Sequence, residues 1–250
     1  MIDILISAFA LSVVLVGIHS YYGLEIIKRG IIFTDLAIGQ MAAMGAAVSI
    51  LFLEGQYIYP LSLLFALSGG FVIAVSSRKN ENLEAFIGLM YAFGISGVFI
   101  LLSKSSHGME TFQKLMAADI LFTPMNDIIK TAILYGLLGI VIYIFHNKTK
   151  GFLRDALFFI TFSVTVTSSV KLAGVLTVFA LLVAPALISL IINRGKLLIN
   201  AWIIGIAVNL TAILVSYNFD FPTGYTLVLL HAFIALIVSF IFGKKKRLVE

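Results

Sequence analysis

Apolar runs of membrane-spanning length follow one another along this chain, and most charged residues fall in the gaps between them. The first run covers residues 4–22 and is followed by Lys28-Arg29; the second covers about 33–53 and stops at Glu54-Gly55-Gln56. Residues 59–77 form the third, ended by Arg78-Lys79-Asn80-Glu81, and the fourth and fifth lie at about 83–102 and 128–145. Two more are squeezed between Arg154 and Arg194 at roughly 156–170 and 172–192, with Lys171 between them. The eighth is about 198–216 and the ninth 225–242, running into Gly243-Lys244-Lys245-Lys246-Arg247. A hydrocarbon core about 30 Å thick asks for about 20 apolar residues in a helix. Within lipid each backbone amide must be paired inside its own segment, so helices are the economical solution. The pattern predicts an all-α integral membrane protein, a polytopic bundle of about nine transmembrane helices.

Composition sharpens this. Hydrophobic residues make up 61% and charged residues 12%, against roughly 45–50% and 25% in soluble domains, which removes soluble enzymes from consideration. With nine spans, alternate gaps face opposite sides. One side collects Lys28, Arg29, Arg78, Lys79, Lys148, Lys150, Arg154, Arg194, Lys196, Lys244, Lys245, Lys246 and Arg247, which is 13 of the 17 Lys and Arg. The other holds Lys104, Lys114, Lys130 and Lys171. The positive-inside rule puts the richer side in the cytoplasm, with the N-terminus outside and the C-terminus inside. The net charge of +5 is then explained by anionic headgroups and needs no nucleic acid. Residues 1–243 read as one transmembrane domain and 244–250 as a short basic cytoplasmic tail, without repeat or linker. The first span has an acidic residue before it, not a basic n-region, and no cleavage site after it, so it reads as retained. Segment 103–127 is too polar for a span; its Leu115–Thr123 stretch, closed by Pro124, suits a short re-entrant or interfacial helix.

With no cysteine in the chain, a metal must be held by imidazole, carboxylate, amide or backbone oxygen. Phosphate-loop, H-E-x-x-H and nucleophile-elbow motifs are absent, so covalent chemistry has no obvious seat. Small residues spaced four apart, at Gly39 and Ala43, Ala42 and Ala46, Gly70 and Ala74, and Gly88 and Ala92, permit close helix packing within the chain or between copies.

Six stretches carry a family resemblance: Gly17–Leu24 (GIHSYYGL), Arg29–Gln40 (RGIIFTDLAIGQ), Glu84–Ala92 (EAFIGLMYA), Leu102–Gly108 (LSKSSHG), Val170–Ala186 (VKLAGVLTVFALLVAPA) and Ser216–Gly224 (SYNFDFPTG). In this order they resemble the membrane permease of zinc/manganese-type ATP-binding-cassette importers. The resemblance implies a prokaryotic multi-pass protein of the cell membrane, acting as a homodimer around a translocation path. Separate ATPase chains would dock on its cytoplasmic face, and a solute-binding protein would deliver metal from outside. It implies no permanently bound cofactor, only the transported zinc, manganese or iron, and no enzymatic activity of the chain's own. One departure stands out. Where such permeases carry a segment of the kind F-D-P-E-x-A-x-x-x-G, residues 146–155 form a shorter basic loop without Pro-Glu. Docking then falls to that reduced loop or to another, such as Arg78–Asn82. The rival reading is a secondary carrier, which asks for paired mid-span carboxylates and two related halves.

An ionisable group in a span costs on the order of 3 kcal/mol and needs a reason. Asp35 opens the second span either as a capping carboxylate, with Thr34 as alternative cap, or as a hard oxygen ligand on a metal path. Gln40 lies about 140° around the helix from Asp35, so spacing does not join them; it is a cross-helix hydrogen-bonder or a weak neutral ligand. His19 bonds a backbone carbonyl or binds metal. Glu84 caps the fourth span or serves the path. Outside the membrane, His107 and Glu110 sit three residues apart, either a solvated loop histidine beside an ordinary glutamate or a capture pair for zinc or manganese that needs a third ligand such as Asp119 or Asp220. Lys171 snorkels to the outer interface, its charge arguing against a place on a cation path. Pro185 removes one helical hydrogen bond and should kink the seventh helix; His231 reads as an interhelical donor and His146 as a surface residue.

Overall fold

The computed structural model describes residues 2–79, 81–105, 110, 120–146 and 148–243. Among them the secondary structure is helical throughout, with nine helices long and apolar enough to cross a membrane, as the pattern predicts. They are α1 (Ile2–Arg29), α2 (Thr34–Phe52), α3 (Ile58–Ser76), α4 (Leu83–Leu102), α5 (Met125–His146), α6 (Phe152–Ala173), α7 (Val175–Ile192), α8 (Leu197–Phe219) and α9 (Thr223–Phe242). A 3₁₀ turn at Ile120–Phe122 precedes Pro124, while 115–119, the rest of the expected re-entrant stretch, lies outside the described residues.

Two boundaries differ from expectation. The first helix continues past residue 22 to Arg29 because Leu24 and Ile26 stay buried, and the Glu25 and Arg29 side chains approach at 3.8 Å one turn apart. Lys171 is not in a gap but in the last turn of α6. The break falls at Gly174, whose φ of +78° is open to glycine and costly for a residue with a β-carbon. A single residue therefore joins α6 to α7.

The chain divides into two compact units. One comprises Met1–Arg29, Ile120–Thr123 and Leu176–Glu250, thus α1, nearly all of α7, α8 and α9. Lipid tails are as apolar as leucine, so helices inside a membrane are held by close van der Waals contact and by hydrogen bonds between helices. Here α1 meets α7 at Gly23, where a β-carbon would fall 2.0 Å from the Leu182 carbonyl oxygen. At Gly205 of α8 it would fall 2.8 Å from Val16 of α1 and 3.3 Å from the Pro185 ring of α7. Trp202 donates its indole N–H to the Gly17 carbonyl at 2.8 Å, a second tie from α8 to α1.

The other unit comprises Gly30–Asp119 and Pro124–Val175, with α2 through α6. Its centre is α2, packed on α3 where Gly45 faces the Leu61 backbone and on α4 where Gly94 faces Gln40. Met44, Ala47, Val98 and Leu102 form the core between α2 and α4. Gly70 of α3 lies against Ser163 and the Phe159 carbonyl of α6, so the expected small-residue contact at Gly70 is real; at Gly88 nothing lies within 4 Å. Helix α6 carries six buried hydroxyl side chains, Thr161, Ser163, Thr165, Thr167, Ser168 and Ser169. Each donates to a carbonyl three or four residues back in its own helix. This back-bonding lets a hydroxyl-rich helix stay inside, and the Tyr135 hydroxyl of α5 adds a bond to Ser168 at 3.1 Å. Large apolar side chains such as Leu89 and Phe93 of α4, Leu137 of α5 and Phe240 of α9 are exposed, which suits hydrocarbon and would be unfavourable over such an extent in water.

Candidate functional site

Helix α2 begins without a side-chain cap. The Thr34 hydroxyl donates back to the Ile31 carbonyl at 2.6 Å, and neither Asp35 oxygen has a hydrogen-bond partner. Neither residue is the cap that the sequence allowed. Asp35 is 1% exposed. An ionised carboxylate buried without a partner is costly, and a proton or a cation must balance it. Its neighbour across the unit is informative. Glu84 does not cap its own helix, which also lacks a side-chain cap. Its Oε1 instead accepts the Phe33 backbone N–H at 3.2 Å, closing the N-terminus of α2 from the facing helix. Glu84 Oε2 remains buried without a hydrogen bond.

Gln40 is buried, its Cβ turned to Gly94 of α4 and its Oε1 without the cross-helix hydrogen bond that was one reading. A different set of residues shares the Asp35 face: Gly39, Ala42 and Ala46, at i+4, i+7 and i+11. All three line an open cavity of about 370 Å³ inside this unit, lined also by Tyr59 and Ser62 of α3 and Thr167 and Lys171 of α6. The Lys171 Nζ stands 5.3 Å from the centre of the Tyr59 ring, within cation–π range. Both residues also line a smaller cavity of about 190 Å³ that holds Asp127 and Lys130, a pair 3.5 Å apart.

The remaining candidates are placed as follows. His19 is fully buried in the other unit and donates its Nδ1–H to the Leu15 carbonyl at 2.8 Å, the backbone-bonded reading. Asp220 ends α8 in the left-handed region at φ +56°, exposed, in a turn fixed by Ser216 donating to the Phe221 carbonyl and touching the Thr223 hydroxyl. Glu110 is exposed, while His107 and Asp119 lie outside the described residues. Among the described residues no three His, Cys, Asp or Glu side chains gather as a metal cage. His231 is the interhelical donor its sequence position suggests, giving Nε2–H to Asn209 Oδ1 at 2.8 Å. Asn209 and Tyr59 were not among the expected functional residues. A mid-span carboxamide was signal enough for Asn209; Tyr59 offers none, since an aromatic near a helix end is ordinary interfacial anchoring.

A polytopic helical bundle with an unpartnered carboxylate buried at the start of one span fits the class of membrane transport proteins, where an ionisable residue among the spans marks a functional position. The chain belongs to the ABC 3 transport family, which it matches over residues 1–242, in agreement with the resemblance to metal-importer permeases. It is thus the membrane component of an ABC transporter and a multi-pass membrane protein. It is 26% identical over 196 residues to the "Probable metal transport system membrane protein" of Thermotoga maritima, covering 72% of this chain and 68% of the relative. To the "Probable iron transport system membrane protein" of Haemophilus influenzae it is 24% identical over 262 residues, covering 97% and 91%. Its fold is that of PsaBC from Streptococcus pneumoniae, solved in complex with Fab: TM-score 0.73 at 19% identity, over 97% of this chain and 93% of the other.

Proposed function

We propose that this chain is the permease subunit of an ATP-driven importer of a divalent transition metal, zinc or manganese first and iron next. The observation that carries the reading is Asp35, whose two buried oxygens have no partner and share an α2 face with a cavity. A carboxylate is a hard ligand suited to each of these metals and does not choose among them. The metal and iron transport relatives support a metal cargo. In this reading two copies form the path in the cell membrane, with exposed apolar faces meeting lipid or the second copy. A binding protein docks near Ser103–Thr111 and Tyr217–Gly224, where Asp220 and the His107–Glu110 pair offer oxygen and imidazole ligands. Metal then passes Asp35, with Gln40, Glu84 and His19 as further polar positions. Residues 1–243 make the path and 244–250 a cytoplasmic tail.

Separate ATPase chains drive alternating access from the cytoplasmic side, and the permease performs no covalent step. The two candidate docking loops adjoin: the Arg78 guanidinium would lie 3.2 Å from a β-carbon on Gly151. Arg78, Lys79, Lys148, Lys150 and Arg154 are all exposed, so the reduced 146–155 loop and the Arg78 turn offer one basic surface. Charge reversal at Arg78 and Lys148 is expected to weaken ATPase co-purification while leaving the melting temperature of the purified permease unchanged.

The deciding experiment is metal uptake by vesicles holding permease, ATPase and binding protein. Asp35→Ala and the near-isosteric Asp35→Asn should both bring uptake to background with expression intact. Normal uptake by either variant removes Asp35 from the path, and uptake by the permease alone, without nucleotide, would make it a secondary carrier.

A further inference from the structure

Lys171 is the one cationic side chain on the wall of the larger cavity, and among the described residues no carboxylate pairs with it. Lys171 is exposed, as a side chain reaching for the interface would be, and there its ammonium rests over the Tyr59 ring, with both residues on the walls of two open cavities at once. The one carboxylate lining the smaller cavity, Asp127, is paired with Lys130. Beyond Lys171 the larger cavity is lined by glycine and alanine from α2, with no group of opposite sign to neutralise the field it sets up. The face leads down from Ala46 through Ala42 and Gly39 to Asp35.

The geometry points to Lys171, seated on Tyr59, as an electrostatic gate that keeps free cations out of the α2–α3–α6 cavity until the side chain is drawn aside. A fixed positive charge in a low-dielectric opening excludes cations far more effectively than it would in water. An aromatic ring offers it a seat that leaves the charge in place, where a carboxylate would cancel it. In an importer such a gate would stop leakage between turnovers. The inference rests on reading the α2 face as the metal's route.

The natural absence of cysteine allows a test that needs neither metal nor nucleotide. Ala43 also lines the cavity and is half-buried. The full-length Ala43→Cys chain in lipid nanodiscs is reacted with anionic and cationic methanethiosulfonates of matched size. The anionic reagent should react about tenfold faster or more. That ratio should fall to about one with Lys171→Met added and reverse with Lys171→Glu. Tyr59→Leu should lower it part of the way. Equal rates with Lys171 present, a ratio unmoved by Lys171→Met, or no reaction with either reagent would each overturn the gate. Should Ala43→Cys fail to fold, Gln56→Cys, on the same cavity, takes its place. Failed metal uptake by the assembled wild-type complex would sink the transport reading while leaving this ratio as measured.

Discussion

Asn209 is fully buried and holds three helices by its carboxamide alone: Nδ2 donates to the Ser12 carbonyl of α1 at 3.3 Å, and Oδ1 accepts from His231 of α9 at 2.8 Å. Bonds of this kind between membrane helices are worth on average about 0.6 kcal/mol, but a buried donor left without its acceptor costs about 1–3 kcal/mol. Asn209→Ala should therefore lower the melting temperature by roughly 2–4 °C for each kcal/mol lost. The pair Asn209→Leu with His231→Leu should lose less than the two single changes summed, because both ends of the bond go together. An additive result from thermal unfolding in detergent would show that the two side chains are not coupled. At this scale the sequence is legible in part. Asp35 stands out as an ionisable residue in a span, yet whether it is capped or bare depends on Glu84, on another helix. Lys171 and Tyr59 meet only through the fold, so their partnership leaves no local mark.

Among the elements, the spans themselves were readable because lipid imposes length and apolarity on each one separately. Helix contacts were not, because small-residue spacing marks where a backbone is able to approach without saying where it does. Gly45 and Gly88 separate the two cases. A methyl at Gly45 would sit 2.3 Å from the Leu61 carbonyl oxygen, while at Gly88 it would meet nothing within 4 Å. Gly45→Ala should part α2 from α3 and cost about 1–3 kcal/mol as overpacking does. Gly88→Ala should be neutral or slightly stabilising, since alanine is the better helix former. Comparing the melting temperatures of the two variants checks this, and equal losses would mean that α2 and α3 do not touch at Gly45. The serines and threonines of α6 make a similar point: a hydroxyl-rich stripe invites reading as a polar path, whereas each group bonds its own backbone.

For the molecule as a whole, the sorting of 13 of 17 basic residues onto alternate gaps makes a sidedness prediction. In intact cells a membrane-impermeant maleimide should label Gln56→Cys, and should label Lys79→Cys only after permeabilisation. The reverse pattern would invert the proposed direction of transport. Apolarity and burial also part company in a telling way. The two least apolar of the nine spanning helices among the described residues, α2 and α6, rank among the three most buried, so the helices that lipid tolerates least are the ones their neighbours cover. That has a bearing on how the nascent chain is made. As α2 leaves the ribosome, with Asp35 and Gln40 exposed and α3 and α4 not yet synthesised, it should integrate poorly by itself. Its insertion then waits for the two following segments, and biogenesis of this part of the protein proceeds as a hairpin or a triplet, not one helix at a time.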